Sequence, residues 1–179
     1  MNNDNASANK PKEKSLLQLM DEVAVGVKDP GQLGEHTHAD IEEQIFSKLQ
    51  RIGLQAIDRQ HEMLVRHLCN LYKVMIGIRS RAPNKEEAAL LQVTLEGLQD
   101  YTVKHFQDEE SYMAYIGFPE VDGHIKIHQD FIEKFLTIKK AIQARDLAGV
   151  DELFFLVYRW LFDHINRDDA KIAQFYNPN

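Results

Sequence analysis

The chain has little cysteine, no long apolar run and no excess of basic residues. Cys69 is the single cysteine among 179 residues, so an internal disulfide is excluded and a reducing compartment, the cytoplasm, is expected. The most apolar run, Leu153 to Phe162, contains Arg159 and is too short to span a bilayer. The polar N-terminus lacks the apolar stretch of a secretory signal, so we expect no membrane association.

The net charge of the chain bears on whether it binds nucleic acid. The chain carries 21 Lys and Arg against 28 Asp and Glu, which gives a net charge of -7. Proteins that bind the nucleic-acid backbone need a face on which basic residues outnumber acidic ones, so nucleic acid is not an expected partner. Eight histidines are many for a chain of this length, and their spacing decides the functional interpretation.

Apolar residues recur at helical spacing through most of the chain, and few segments have strand character. The periodicity predicts four long helices, over about 56–78, 86–116, 121–144 and 147–165. The links between them are short, which forces neighbouring helices to run antiparallel. The sequence therefore predicts an all-α, antiparallel up-down four-helix bundle in residues 46–179. Residues 1–45 form an N-terminal extension that is expected to be partly disordered, with a short helix over 15–27 and a capping box that begins at Thr37.

Five histidines and two carboxylates fall at spacings that such a bundle can gather into one inward-facing cluster. His105 and Glu109 are four residues apart on one predicted helix, and His124 and His128 are four apart on the next. Residues at this spacing lie within about 40° of each other on a helix surface. Each pair can therefore reach a common point in the interior.

Two further histidines lie on apolar stripes. His61 comes four residues after Ile57, and His164 comes four residues after Trp160. Asp169 stands five residues after His164, which in an unbroken α-helix would place it about 140° away. We therefore expect the helix to end or bend there, with a fraying end that turns the carboxylate back toward the bundle axis.

Burying five imidazoles and two carboxylates without a shared cation would cost on the order of several kcal/mol each, so the set predicts a metal centre. Imidazole and carboxylate ligands without thiolate suit iron, manganese or zinc. Seven donors exceed the usual shell of one ion and carboxylates can bridge, so two ions are expected. With three histidines for one ion and two for the other, one ion keeps an open position.

The motifs around these residues resemble those of hemerythrins, most closely the bacterial single-domain members. They are IDRQH at 57–61, HFQDEE at 105–110, HIKIH at 124–128 and WLFDHINRDD at 160–169, and the resemblance covers about residues 52–175. It implies two iron ions joined by an oxo or hydroxo bridge. By the same resemblance, one iron is held by His124, His128 and His164. The other iron is held by His61 and His105, and the carboxylates of Glu109 and Asp169 bridge the two irons.

The resemblance also implies the function, which is reversible dioxygen binding for carriage, storage or delivery rather than catalysis. An alternative within the same fold is an oxygen or redox sensor, or a protein that handles nitric oxide or peroxide. Glu110 and Asp168 adjoin predicted ligands but are expected to matter little. The N-terminal extension is longer than is usual in bacterial members and is a candidate site for a protein partner. Five residues resemble the family's apolar oxygen pocket, although they suit a plain core equally well: Leu64, Phe106, Trp160, Leu161 and Ile165.

Overall fold

The computed structural model of the protein describes residues 38–78, 82–144 and 148–176, with the side chains of 38–41 and 148 excepted. The described residues belong to one compact unit of the chain, which lies within Thr37–Asn179. The predicted helix over 15–27 and the predicted cap at Thr37 lie outside the described residues. The predicted boundary between extension and bundle, after residue 45, stays a prediction.

Helices make up nearly all of the described chain, and no strand occurs within it. Four of them form a closed ring, in which α2 and α4 each pack against both α3 and α5. This is the all-α bundle that the sequence predicts. The elements are α1 (His38–Phe46), α2 (Gln55–Ile78), α3 (Lys85–Ile116), α4 (Val121–Gln143), α5 (Ala148–His164), a π-helical turn (Ile165–Asp169) and α6 (Ala170–Tyr176).

Local sequence explains where the longest helix begins and ends. Asn84 caps α3 by accepting hydrogen bonds from the backbone N–H groups of Glu86 and Glu87, and the Glu87 carboxylate accepts from the Asn84 N–H in return. Gly117 ends the helix at a φ of 70°, in the left-handed region that glycine adopts without steric cost. The predicted start and end of this helix are thus confirmed to within one residue.

The most apolar run of the sequence lies in α5 and packs into the bundle core. Leu153 and Phe154 are fully buried, and Val157 is 3% exposed. In the ranges that the structure describes, no helix is both long enough and apolar enough to cross a membrane.

The α-helix ends at His164, as expected, but the chain does not fray there, so the expectation of a fraying end was wrong. It widens into the π turn and continues as α6. A π turn holds more residues than an α turn, so it absorbs one extra residue and brings Asp169 to the side of His164 despite the five-residue spacing. The same turn directs Ile172 of α6 into a buried cluster with Met113 and Phe118.

Candidate metal centre

The structure brings all seven predicted ligands together in the interior of the bundle. Each is at most 4% exposed, although all are polar or ionisable. Their side-chain donor atoms form two groups of four residues, and within each group the atoms lie within 4.8 Å of one another. One carboxylate belongs to both groups. The first group is Glu109, His124, His128 and His164, and the second is His61, His105, Glu109 and Asp169.

The two carboxylates lie between the two groups. Asp169 places Oδ1 at 3.0 Å from His164 Nε2 and Oδ2 at 3.1 Å from His61 Nε2, so its two oxygens face different groups. Glu109 places Oε2 at 3.2 Å from His124 Nε2 and 3.3 Å from His128 Nε2. Its other oxygen, Oε1, has no hydrogen-bond partner in the described part of the chain. Both carboxylates are therefore positioned to bridge.

Polar atoms that lack a hydrogen bond show that the cluster fits metal ions. Within the described ranges, these buried atoms include Nε2 of His61, Oε1 of Glu109 and both carboxylate oxygens of Asp169. A buried polar atom without a partner is costly, and a cation would satisfy all of these at once. The Nε2 atoms of His128 and His164 lie 3.0 Å apart. Neighbouring ligands of an octahedral ion, each at about 2.1 Å, have this separation of about 3 Å.

The charge states of the buried groups also suit metal binding. Burial lowers the pKa of His105 to about 4, against the opposing effect of Glu109, so its imidazole is neutral at pH 7. Burial and the nearby Asp169 raise the pKa of Glu109, but the adjacent imidazoles of His124 and His128 outweigh them and lower it to about 2. Burial also raises the pKa of Asp169, but the adjacent imidazoles of His164 and His61 hold it below its usual range. The centre thus combines a neutral imidazole with ionised carboxylates.

Three side chains outside the predicted ligand set face the outer nitrogens of the predicted ligand histidines. His105 Nδ1 lies 3.0 Å from Gln60 Oε1, and His128 Nδ1 lies 2.9 Å from Glu110 Oε1. An imidazole that donates through Nδ1 keeps Nε2 free for a metal. The buried carboxylate of Asp168 faces His164 Nδ1 at 3.5 Å, which is longer than a good hydrogen bond.

The sequence predicts little effect for Glu110 and Asp168, which only adjoin predicted ligands there. The structure places each of them beside a histidine of the site. The side chain of Glu110 is only 28% exposed and that of Asp168 is 8% exposed. The role of Gln60, which directly precedes His61, was not predicted at all, because it acts on a histidine of the neighbouring helix. The sequence does show that Gln60 is a polar residue next to a predicted ligand. It does not show that the Gln60 side chain contacts Nδ1 of His105.

Aromatic rings cover the histidines on one side of the centre. Phe106 stacks on His128 with a centroid distance of 3.7 Å and parallel planes, and Trp160 stacks on His164 at 4.2 Å. Trp160 is partly exposed. The other predicted pocket residues are at most 2% exposed, and their contact with a bound gas stays a prediction: Leu64, Leu161 and Ile165.

Comparisons with known proteins show which family the sequence matches. The model of the family described as the hemerythrin HHE cation binding domain matches residues 52–176. The bacteriohemerythrin of Pseudomonas aeruginosa is 40% identical over 118 residues, which are 66% of this chain and 71% of that protein. The bacteriohemerythrin of Stenotrophomonas maltophilia is 32% identical over 122 residues, 68% of this chain and 74% of that protein. The myohemerythrin of Theromyzon tessulatum is 33% identical over 78 residues, 44% of this chain and 59% of that protein. As its histidine and carboxylate motifs predict, the chain belongs to the hemerythrin family.

Proposed function

We propose that the centre holds two iron ions and that the chain binds dioxygen reversibly. The observation that carries the proposal is the division of the donors into two groups that share the carboxylate of Glu109. One group has three histidines and the other has two, and Glu109 and Asp169 face both. Two cations bridged by two carboxylates would satisfy each buried donor, whereas one cation would leave several without a partner.

The proposed assignment follows these groups. His124, His128 and His164 would hold one iron, and His61 and His105 would hold the other. Imidazole and carboxylate ligands suit iron, and membership of the hemerythrin family favours iron over manganese or zinc. The iron pair, once bound and reduced, would supply the two electrons that dioxygen accepts and returns. The group with two histidines offers one protein nitrogen fewer, so we assign the open position to it.

The residues of the chain perform three tasks at such a site. Glu109 and Asp169 are ionised and offset the positive charge of the metal pair. Gln60 and Glu110 hold His105 and His128 in the ring orientation and tautomer that a metal requires. Buried apolar side chains, such as Leu161, keep water away from the open position and so slow proton transfer to bound oxygen.

Metal analysis and an optical titration test the proposal. Protein purified without added metal should contain two irons per chain, and the anaerobically reduced protein should gain a visible absorption on exposure to oxygen and lose it when oxygen is removed. One tightly held ion, or zinc as the native metal, would contradict the di-iron centre. Rapid turnover of peroxide or nitric oxide would instead favour the alternative, a protein that handles those molecules.

A matched pair of variants tests the proposed bridge. Asp169→Asn removes the charge that faces both histidine groups, and we expect it to lose most of the iron. Asp168→Asn changes the adjacent residue, whose carboxylate contacts Arg167 on the protein surface and lies only near His164 Nδ1. It should keep both irons with reduced affinity. Equal iron loss in both variants would show that Asp169 is not a specific bridge.

A further inference from the structure

A cavity lies far from the proposed metal centre, between the start of α3 and the end of α4. Its volume is about 690 Å³, and apolar side chains of Leu91, Leu95 and Ile142 line it. Leu91 precedes His105 by fourteen residues on α3, which corresponds to about 21 Å along a helix. The cavity is therefore separate from the proposed oxygen site, and its size is within the range of small-molecule sites.

A buried lysine lines this cavity. Lys139 of α4 is 9% exposed, which is unusual because burying a cation is costly without an anionic partner. Its Nζ donates one hydrogen bond of 2.7 Å to Gln99 Oε1, a neutral amide oxygen. An ammonium group has three donors. Across the described ranges, no carboxylate oxygen lies within 4 Å of this nitrogen.

The charged side chains among the described lining residues of the cavity are both lysines, although the chain as a whole is acidic. Lys85, the first residue of α3, lines the cavity together with Lys139, and none of the described lining residues is Asp or Glu. The lining thus combines a cationic side with an apolar floor in a protein of net charge -7.

We propose that this cavity binds an organic carboxylate with an apolar body, of the size of a medium-chain fatty acid. The carboxylate would accept hydrogen bonds from Lys139, whose remaining donors have no anionic partner in the described chain, with Lys85 adding charge at the rim. The apolar body would cover Leu91, Leu95 and Ile142. A free phosphate would use only the cationic side and leave this floor uncovered, so a singly charged head on an apolar chain fits the lining better.

Calorimetric titration of the full-length, iron-loaded protein with decanoate tests the proposal, with decanol as the neutral probe. Decanoate should bind saturably at one site per chain, and decanol should bind at least about tenfold more weakly, because a hydrogen bond to a charged group is lost. Lys139→Met should weaken decanoate binding by a similar factor. Lys140→Met is the matched control, since Lys140 is exposed on the same helix and does not line the cavity.

A second pair of variants decides the question should Lys139→Met fail to fold. Ala88 is an exposed residue that lines the cavity, and Ala89 is exposed beside it without lining it. Ala88→Phe should place a ring in the cavity and weaken decanoate binding, whereas Ala89→Phe should leave it unchanged. No saturable binding by the unmodified protein, equal affinity for decanoate and decanol, or equal behaviour within the Ala88 and Ala89 pair would overturn the proposal.

Discussion

Removal of the Glu110 carboxylate should weaken iron binding even though Glu110 is not a proposed ligand. Its Oε1 accepts a hydrogen bond of 2.9 Å from His128 Nδ1, and that bond fixes the ring nitrogen that faces the metal. In Glu110→Ala the imidazole loses this partner and can rotate or change tautomer. We therefore expect lower affinity for iron without loss of the fold.

The magnitude follows from the type of contact. Removing an outer partner of a metal-bound histidine costs about 10–100-fold in metal affinity, which is about 1.4–2.7 kcal/mol. The Glu110 side chain is 28% exposed, and water that replaces it offsets part of the loss. We therefore place the expected effect near the lower end, at about tenfold.

Competition with an iron chelator measures this effect. The reduced protein is titrated with a chromogenic ferrous chelator, and the concentration that removes half of the iron is compared between variants. Glu110→Gln keeps an acceptor oxygen and should fall between the native protein and Glu110→Ala. Glu96→Ala removes an exposed carboxylate from the same helix, one that accepts a hydrogen bond from Gln92, and serves as the control. Equal iron retention in Glu110→Ala and Glu96→Ala would refute the positioning role of Glu110.

Three other substitutions have distinct expected results. Gln60→Leu removes a neutral acceptor from His105, so iron affinity should fall less than in Glu110→Ala by the same chelator assay. Leu161→Ala should lower the free energy of unfolding, measured by urea titration, by about 3–5 kcal/mol. Because water can then enter, the oxygenated protein should also lose its colour faster in stopped-flow absorbance. An unchanged rate of colour loss would mean that Leu161 is an ordinary core residue. Asp58→Ala removes the carboxylate that accepts from the N–H groups of Ile52 and Gly53, so it should destabilise the fold by about 1–3 kcal/mol while the iron content stays unchanged.

Residues whose position depends only on helical spacing could be predicted from the sequence. His105 with Glu109, and His124 with His128, lie four apart on regular helices, and the structure places each pair where the spacing predicts. The apolar stripes likewise predicted the helices of the bundle to within a residue or two.

Contacts between helices could not be predicted in the same way. Gln60 of α2 contacts His105 of α3, and Glu110 of α3 contacts His128 of α4. Such contacts depend on the rotation and height of one helix relative to another, which a periodic pattern does not define. The sequence did not predict the π turn, for a related reason. The five-residue spacing showed that a regular helix was insufficient, but not whether the chain would end, kink or widen.

Because of the π turn, the position of Asp169 depends on the number of residues between it and His164 more than on most of the side chains between them. Between His164 and Asp169, Asn166 is exposed to solvent and can be exchanged for other residues. Adding or removing one residue there would instead rotate the chain that follows by about 100°. Asp169 would then turn away from the metal centre, and Ile172 would turn out of its contact with Met113. We therefore expect natural variants of this segment to differ by substitution and not by insertion or deletion.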